Sequence, residues 1–170
     1  MNDNAVAIMD AAERRMRIGG FNGFSFRDIA NDVGVKSSSV HYHFPTKEAL
    51  AGAVIRRYTE DVAAIIARGF ETEADPVVVW TRAFRGTIHS KDRICPCAVL
   101  GATSRDLPRE VAKEVEGFFA MCLENLQSKG LSREKASEFL ATITGAMVVS
   151  NALGDTTYYD RATRQLLRQR

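Results

Sequence analysis

Several residue types are scarce in this chain, and each scarcity excludes something. Three cysteines among 170 residues are an odd number and too few for a disulfide scaffold. Three histidines occur, two of them in one short stretch, and there is no H-E-x-x-H, no G-x-S-x-G elbow and no phosphate-cradling glycine loop. Nothing assembles into a catalytic constellation, so no enzyme, no metal and no cofactor are expected. Excess charge of one sign is also missing. The formal net charge is +2, so a basic footprint for nucleic acid has to be local. No stretch reaches the run of about eighteen uncharged apolar residues read as a membrane span. Asp3, Asp10 and Glu13 interrupt the N-terminus where a signal peptide would need an apolar core. The expectation is a cytoplasmic chain with reduced thiols and no membrane partner.

Hydrophobic residues make up 45% of the chain, enough for a proper core. The most informative stretch is FSFRDIANDVGVKSSSVHYHFPTK, Phe24 to Lys47. Ser25 followed by Asp28 is a capping box, and Phe24 with Ile29 is spaced as a hydrophobic staple. Ile29, Ala30 and Val33 give one apolar helical face, and Gly34 stands where a chain leaving a helix needs a positive φ. Ser37, Ser38 and Ser39 are expected to cap a second helix, which Pro45 limits to Phe44. Thr46 opens a third. Two short helices about a glycine turn make a helix-turn-helix, a geometry that also occurs as plain packing. From Val33 to Lys47 there is no carboxylate, so this surface can approach phosphates without repulsion.

At these residues the chain resembles the amino-terminal domain of the tetracycline-repressor (TetR) family of bacterial transcription regulators. The aromatic-glycine turn, RDIA, GV, the serine-rich helix and HFPTKEAL carry the resemblance, over about residues 8 to 50. One departure is that many members have Tyr where His41 stands, and here the Tyr is Tyr42. The resemblance implies a double-stranded DNA operator, a homodimer and a small-molecule effector bound by the carboxy-terminal half. Ser37, Ser39 and His41 are expected nearest the base edges. Lys36, Tyr42, Thr46 and Lys47 are expected on phosphates with Arg27, while Ser38 and His43 complete the surface.

The rest reads as all-α, about nine helices. Residues 1–47 form a three-helix, homeodomain-like helix-turn-helix domain and residues 48–170 a helical ligand-binding and dimerisation domain. Ile8, Ala12 and Met16 line the first helix, with Arg15 expected at its rim or, alternatively, on a phosphate. Residues 46–69 form a connector, roughly 36 Å long, with Leu50, Val54, Tyr58, Val62, Ile65 and Ile66 at helical steps. Trp80, Phe84, Cys97, Phe118, Met121 and Cys122 either line a ligand cavity or are plain core. Phe139 to Gly154 carries no charge, so that helix is buried all round or lies in an interface. The interface reading uses Ala141, Gly145, Val149 and Ala152 with Tyr158 and Ala162 of the last helix. There Tyr158, Ala162 and Leu166 make one stripe, and Arg161, Arg164, Arg168 and Arg170 are expected to keep the other face in water.

Cys95 and Cys97 form a C-x-C pair, with His89 upstream. Neither spacing nor ligand count suits zinc. A thiol switch, with Arg93 lowering a thiol pKa, stands against burial as small hydrophobes, the commoner use of cysteine. The leading function is a repressor released from a palindromic operator by a small molecule; the alternative is a redox-sensing DNA-binding regulator using Cys95 and Cys97.

Overall fold

Helix α1 (Asp3–Gly19) buries Ile8, Ala12 and Met16 along one side, together with Ala5, Met9 and Ala11. The structure, a computed structural model, describes residues 3–90 and 94–167. After a 3-10 turn at Phe21–Gly23, α2 (Phe26–Val33) starts with the expected capping box. Ser25 Oγ accepts from the Asp28 amide at 3.3 Å, and the Asp28 carboxylate accepts from the Ser25 amide at 2.8 Å. Gly34 ends the helix at φ 76°, in the left-handed region that a Cβ would strain.

Helix α3 (Ser37–His43) starts one residue ahead of any serine cap. Lys36 holds the cap position and no side chain caps the helix, which corrects the role expected of Ser37, Ser38 and Ser39. A capping side chain must come from an extended residue outside the helix; the serines are already inside its first turn. Thr46 does cap α4 (Lys47–Gly69), its hydroxyl accepting from the Ala49 amide at 3.1 Å.

The remaining helices are α5 (Pro76–His89), α6 (Pro96–Gly101), α7 (Arg109–Ser128), α8 (Arg133–Leu153) and α9 (Thr157–Leu166), and the described residues contain no strand. Helix α4 packs on α1, α5 and α7, while α6 touches α1 and α7. Leu50, Val54, Tyr58, Val62 and Ile66 form its buried line. Ile65 is instead 45% exposed, because a step of about 100° per residue rotates it off the line that Ile66 occupies. At the far end Gly69 permits close approach: a Cβ there would stand 2.7 Å from Val79 Cγ1.

Inside, polar groups pair across helices. Trp80 Nε1 donates to Asn125 Oδ1 at 2.9 Å, tying α5 to α7, and Tyr159 Oη donates to the Thr81 carbonyl at 3.1 Å, tying α9 to α5. Tyr159 is fully buried while Tyr158 is 39% exposed, so the inward side of α9 is Tyr159 and Thr163, one residue on from the stripe of Tyr158 and Ala162. The rotation is set by Ser150, whose Oγ accepts from the Tyr159 amide at 2.8 Å. Ala162 and Leu166 are half-buried, and Arg161 and Arg164 lie in water. Arg93, Arg168 and Arg170 lie outside the described residues. By length and composition alone α8 could cross a bilayer. It packs against α5, α7 and α9 through Phe139, Ile143 and Met147, as a core helix does.

The capping box is testable by stability. Removing the hydroxyl with Ser25→Ala is expected to cost about 1 kcal/mol in urea denaturation. Hydrogen bonds from the Ser25 hydroxyl and amide hold the Asp28 carboxyl below its ordinary pKa. Its contribution is therefore present above the unfolded value of about 4 and is lost as pH falls through the lower folded value. The stability gap between wild type and Asp28→Ala should close below that range.

Candidate nucleic-acid interface

Helix α3 is anchored by one fully buried residue, Val40. Its short sequence leaves most other side chains outside: Lys36, Ser37, Ser38, His41 and Tyr42 are exposed, and Ser39 and His43 half-buried. Tyr42 is 85% exposed, a large aromatic ring left in water beside three hydroxyls that cap nothing. His41 is positioned from α2, its ring 4.5 Å from that of Phe26 in an edge-on arrangement. Thr46 and Arg27 are also exposed, flanking α3 on either side in sequence.

The two carboxylates of α2 are occupied. Asp28 is engaged by Ser25, and Asp32 receives Arg15 through two bonds of 2.5 and 2.9 Å. The Arg15 guanidinium holds the Asp32 carboxyl below its usual range. Arg15 lies half-buried at the rim of α1, as expected, and its head bridges α1 to α2 rather than standing free for a phosphate. Lys47 is partly buried, its Nζ 4.5 Å from the Phe21 ring centre and 4.8 Å from that of Phe24. Partial burial draws its pKa down, against the pull of Glu48 and Asp28. A cation held over two ring faces loses little mobility when an anion docks on it.

The six candidate ligand residues are packed. Trp80 and Cys122 are fully buried, Trp80 stacks on Phe84 at 5.7 Å, and Phe118 meets Tyr58 and Phe119. Cys97 is also fully buried and Met121 half-buried. Phe84 borders a small cleft with Val62, Ile65, Ala83 and Thr87. A wider cleft of about 390 Å³ lies elsewhere, between Gly101, Arg105, Ala112 and Phe119. The six candidate interface residues point the other way. Ala141, Gly145, Val149, Ala152 and Tyr158 are exposed and Ala162 half-buried, so burial inside one chain does not account for them. They adjoin Val148 and Leu153, which are 44% and 57% exposed.

Residues that sequence reasoning passed over connect this region to the rest. Arg17 of α1 pairs with Glu13 at 2.6 Å and donates to the Ile94 carbonyl, and Arg57 of α4 pairs with Asp10 and Glu13 at 2.8 and 2.9 Å. The i, i+4 spacing of Glu13 and Arg17 was the one local signal of this network.

Comparison with known proteins bears on the whole arrangement. A family profile described as "Bacterial regulatory proteins, tetR family" matches residues 8–54. The fold is similar to that of a TetR-family transcriptional regulator from Agrobacterium tumefaciens, at 30% identity and TM-score 0.87, covering 98% of this chain and 96% of that one. It is also similar to a TetR transcriptional regulator from Legionella pneumophila, with 24% identity, TM-score 0.90 and coverage of 99% and 97%. A regulatory protein TetR from Rhodobacter sphaeroides shares the fold at 18% identity and TM-score 0.84, with 96% of each chain covered. No curated protein matched.

The exposed side chains of α3 should separate into two kinds in DNA-binding titrations. Lys36→Ala is expected to weaken all sequences alike and to flatten the dependence on salt. His41→Ala is expected to change sequence preference by about 1–3 kcal/mol. Unchanged affinity for every sequence in a Lys36→Ala, Tyr42→Ala double variant would remove α3 from the interface.

Proposed function

The chain belongs to the TetR family of transcription regulators and is a DNA-binding regulator; from that premise we propose that it is a dimeric repressor which a small molecule releases from a palindromic operator. The observation that carries the DNA half of this reading is the surface of α3. It offers hydroxyls, a histidine, a tyrosine and a lysine, with no carboxylate from Val33 to Lys47 and with Asp28 and Asp32 already occupied. In this reading residues 1–47 are the DNA-binding unit and residues 48–170 the ligand-binding and dimerisation unit. Ser37, Ser39 and His41 face base edges, and Lys36, Tyr42, Thr46, Lys47 and Arg27 face phosphates. The protein acts in the cytoplasm, where its operator is.

One short helix reads few bases, and a two-fold pair doubles the site, with half-site centres about 34–36 Å apart. The exposed apolar face of α8 and α9 supports such a pair. Its small residues let two helices approach closely, and Val149, Leu153 and Tyr158 supply area to bury. Two copies of α8 and α9 would form a four-helix interface. Helix α4 begins beside α3 and ends among the carboxy-terminal helices. An effector that prefers one setting of α4 would change the spacing of the two α3 helices, and only that preference gives it leverage. The close packing of Trp80, Phe84 and Phe118 means that an effector entering there must open the core.

Sequencing the genomic DNA retained by the purified protein tests the operator: two-fold symmetric sites are expected, and retention of unrelated sequences would sink the reading. Gly145→Leu tests the pairing. Nothing lies within 4 Å of a Cβ at Gly145, so the monomer accommodates the side chain while a close helix pair does not. Sedimentation should show loss of the dimer with the melting temperature of the monomer preserved. For any compound found to release the DNA, saturating operator must weaken its binding by the same factor; equal affinity with and without DNA excludes the release mechanism.

A further inference from the structure

The open face of α8 has a regular spacing. Glu138, Gly145 and Ala152 are all exposed and stand seven residues apart. At about 100° per residue, seven steps return to within about 20°, so the three lie on one line along the helix. Ala141, Val148 and Val149 flank that line and are exposed as well. Helix α9, which packs on α5 and α8, continues the face. Arg85 of α5 holds Asp160 at 2.7 and 2.8 Å, so that flank of α9 is turned to α5. Tyr158 stands two residues back, about 160° around the helix, on the flank beside α8. The Arg161 guanidinium lies over the Tyr158 ring, 5.5 Å from its centre.

We propose that a second copy of this chain covers the face in one register only, Glu138 of each copy pairing with Arg161 of the other, and that these two ion pairs restrict association to chains carrying both charges. The inference rests on the pairing through α8 and α9 argued above, and adds its direction and its selectivity.

Charge complementarity selects the occupant. The face is apolar in the middle, with a carboxylate at the Glu138 end and a guanidinium at the Arg161 end. Among the described residues neither group has an ion-pair partner. Asp155 and Arg161 attract one another within the chain, but the Asp155 carboxylate is already taken by the amide and hydroxyl of Thr157, at 2.9 Å each. A surface with one sign at each end complements itself when a copy is turned end for end, as a two-fold pair requires.

The register follows from Gly145, where the helices approach most closely and the two-fold axis passes. With that axis across α8, the two copies run antiparallel, and a residue seven before Gly145 meets the level of the residue seven after it. Glu138 and Ala152 are each about 10.5 Å from Gly145 along the helix, so the other copy's glutamate arrives beside Ala152. Ser150 holds the Tyr159 amide at 2.8 Å, which sets the first turn of α9 at this same level. The glutamate therefore stands next to Tyr158 and Arg161. An axis along α8 would instead set Glu134 and Glu138 against their own copies, and facing like charges penalise that arrangement. Resting on the Tyr158 ring, the Arg161 fork loses little freedom when it pairs.

Sedimentation of the full-length wild type, Glu138→Arg, Arg161→Glu and the double exchange tests the register. Each single variant faces two like-charge contacts in its own dimer and should associate on the order of tenfold more weakly than wild type. The double exchange restores both attractions and should associate as wild type does. Mixing the single variants is the sharpest arm. Glu138→Arg is positive at both positions and Arg161→Glu negative at both, so heterodimers should form in native mass spectrometry at concentrations where each variant alone is largely monomeric. A variant that had lost its fold would not be rescued in this way. Single variants that pair as tightly as wild type, or a mixture that gains no heterodimer, overturn the register and its selectivity; if Gly145→Leu still abolishes the dimer, the pairing through α8 stands without them. A wild-type chain that stays monomeric overturns that pairing and this inference with it.

Discussion

A guanidinium withdrawn from water has to find acceptors around it or burden the fold with an uncompensated charge. Arg17 and Arg57 meet that constraint together. Glu13 stands between them, accepting from Arg17 at 2.6 Å and from Arg57 at 2.9 Å, and Asp10 completes the set at 2.8 Å. Burial works against the Arg57 charge, and Glu13 and Asp10 more than restore it. Because α1 supplies Asp10, Glu13 and Arg17 while α4 supplies Arg57, the network fixes the angle between the helix that carries α2 and α3 and the helix that runs into the rest of the chain. The Nε of each arginine is buried without a partner, so the pairing is made at the tips of the forks. Such an arrangement specifies geometry more than it adds stability.

That fixed angle gives the surface of α3 its meaning. Side chains that make no internal hydrogen bond are useful only if the backbone beneath them is held still. Val40 sinks into the core, Phe26 supports His41, and Phe21 with Phe24 supports Lys47. The same small region pairs both carboxylates of α2, through Ser25 on Asp28 and Arg15 on Asp32. In a chain whose formal net charge is only +2, pairing Asp28 and Asp32 internally leaves the surface of α3 locally free of their charge.

The opposite end obeys a different constraint. Helix α8 has apolar residues on two sides, and among the described residues one side is packed and the other open: Phe139, Ile143 and Met147 pack inward while Val148, Val149 and Leu153 are exposed. Hydrophobic area left exposed on a helix already anchored by its other face favours association. The hydrogen bonds from Tyr159 to Thr81 and to Ser150 hold α9 in register beside that face.

How much of this was legible in the sequence follows the range of each interaction. The capping box at Ser25 and Asp28, the glycine stop at Gly34, the Thr46 cap and the uncharged run from Phe139 are local signals, and the helices stand where those signals put them. The family and the helix-turn-helix were readable for the same reason, since their marks lie within one contiguous stretch. The serines of α3 misled because a capping residue and a first-turn residue look alike until the helix start is known to one position. Tyr158 and Tyr159 were interchangeable until Ser150, nine residues away, set the rotation of α9. The long-range partners of Arg15, Arg17 and Arg57 were not readable from sequence, since Asp32, Ile94 and Asp10 lie 17, 77 and 47 positions off. Local hydrogen bonding and periodicity wrote the elements and the family into the sequence; which charges are neutralised, and which apolar face is left open, was decided only when distant helices met.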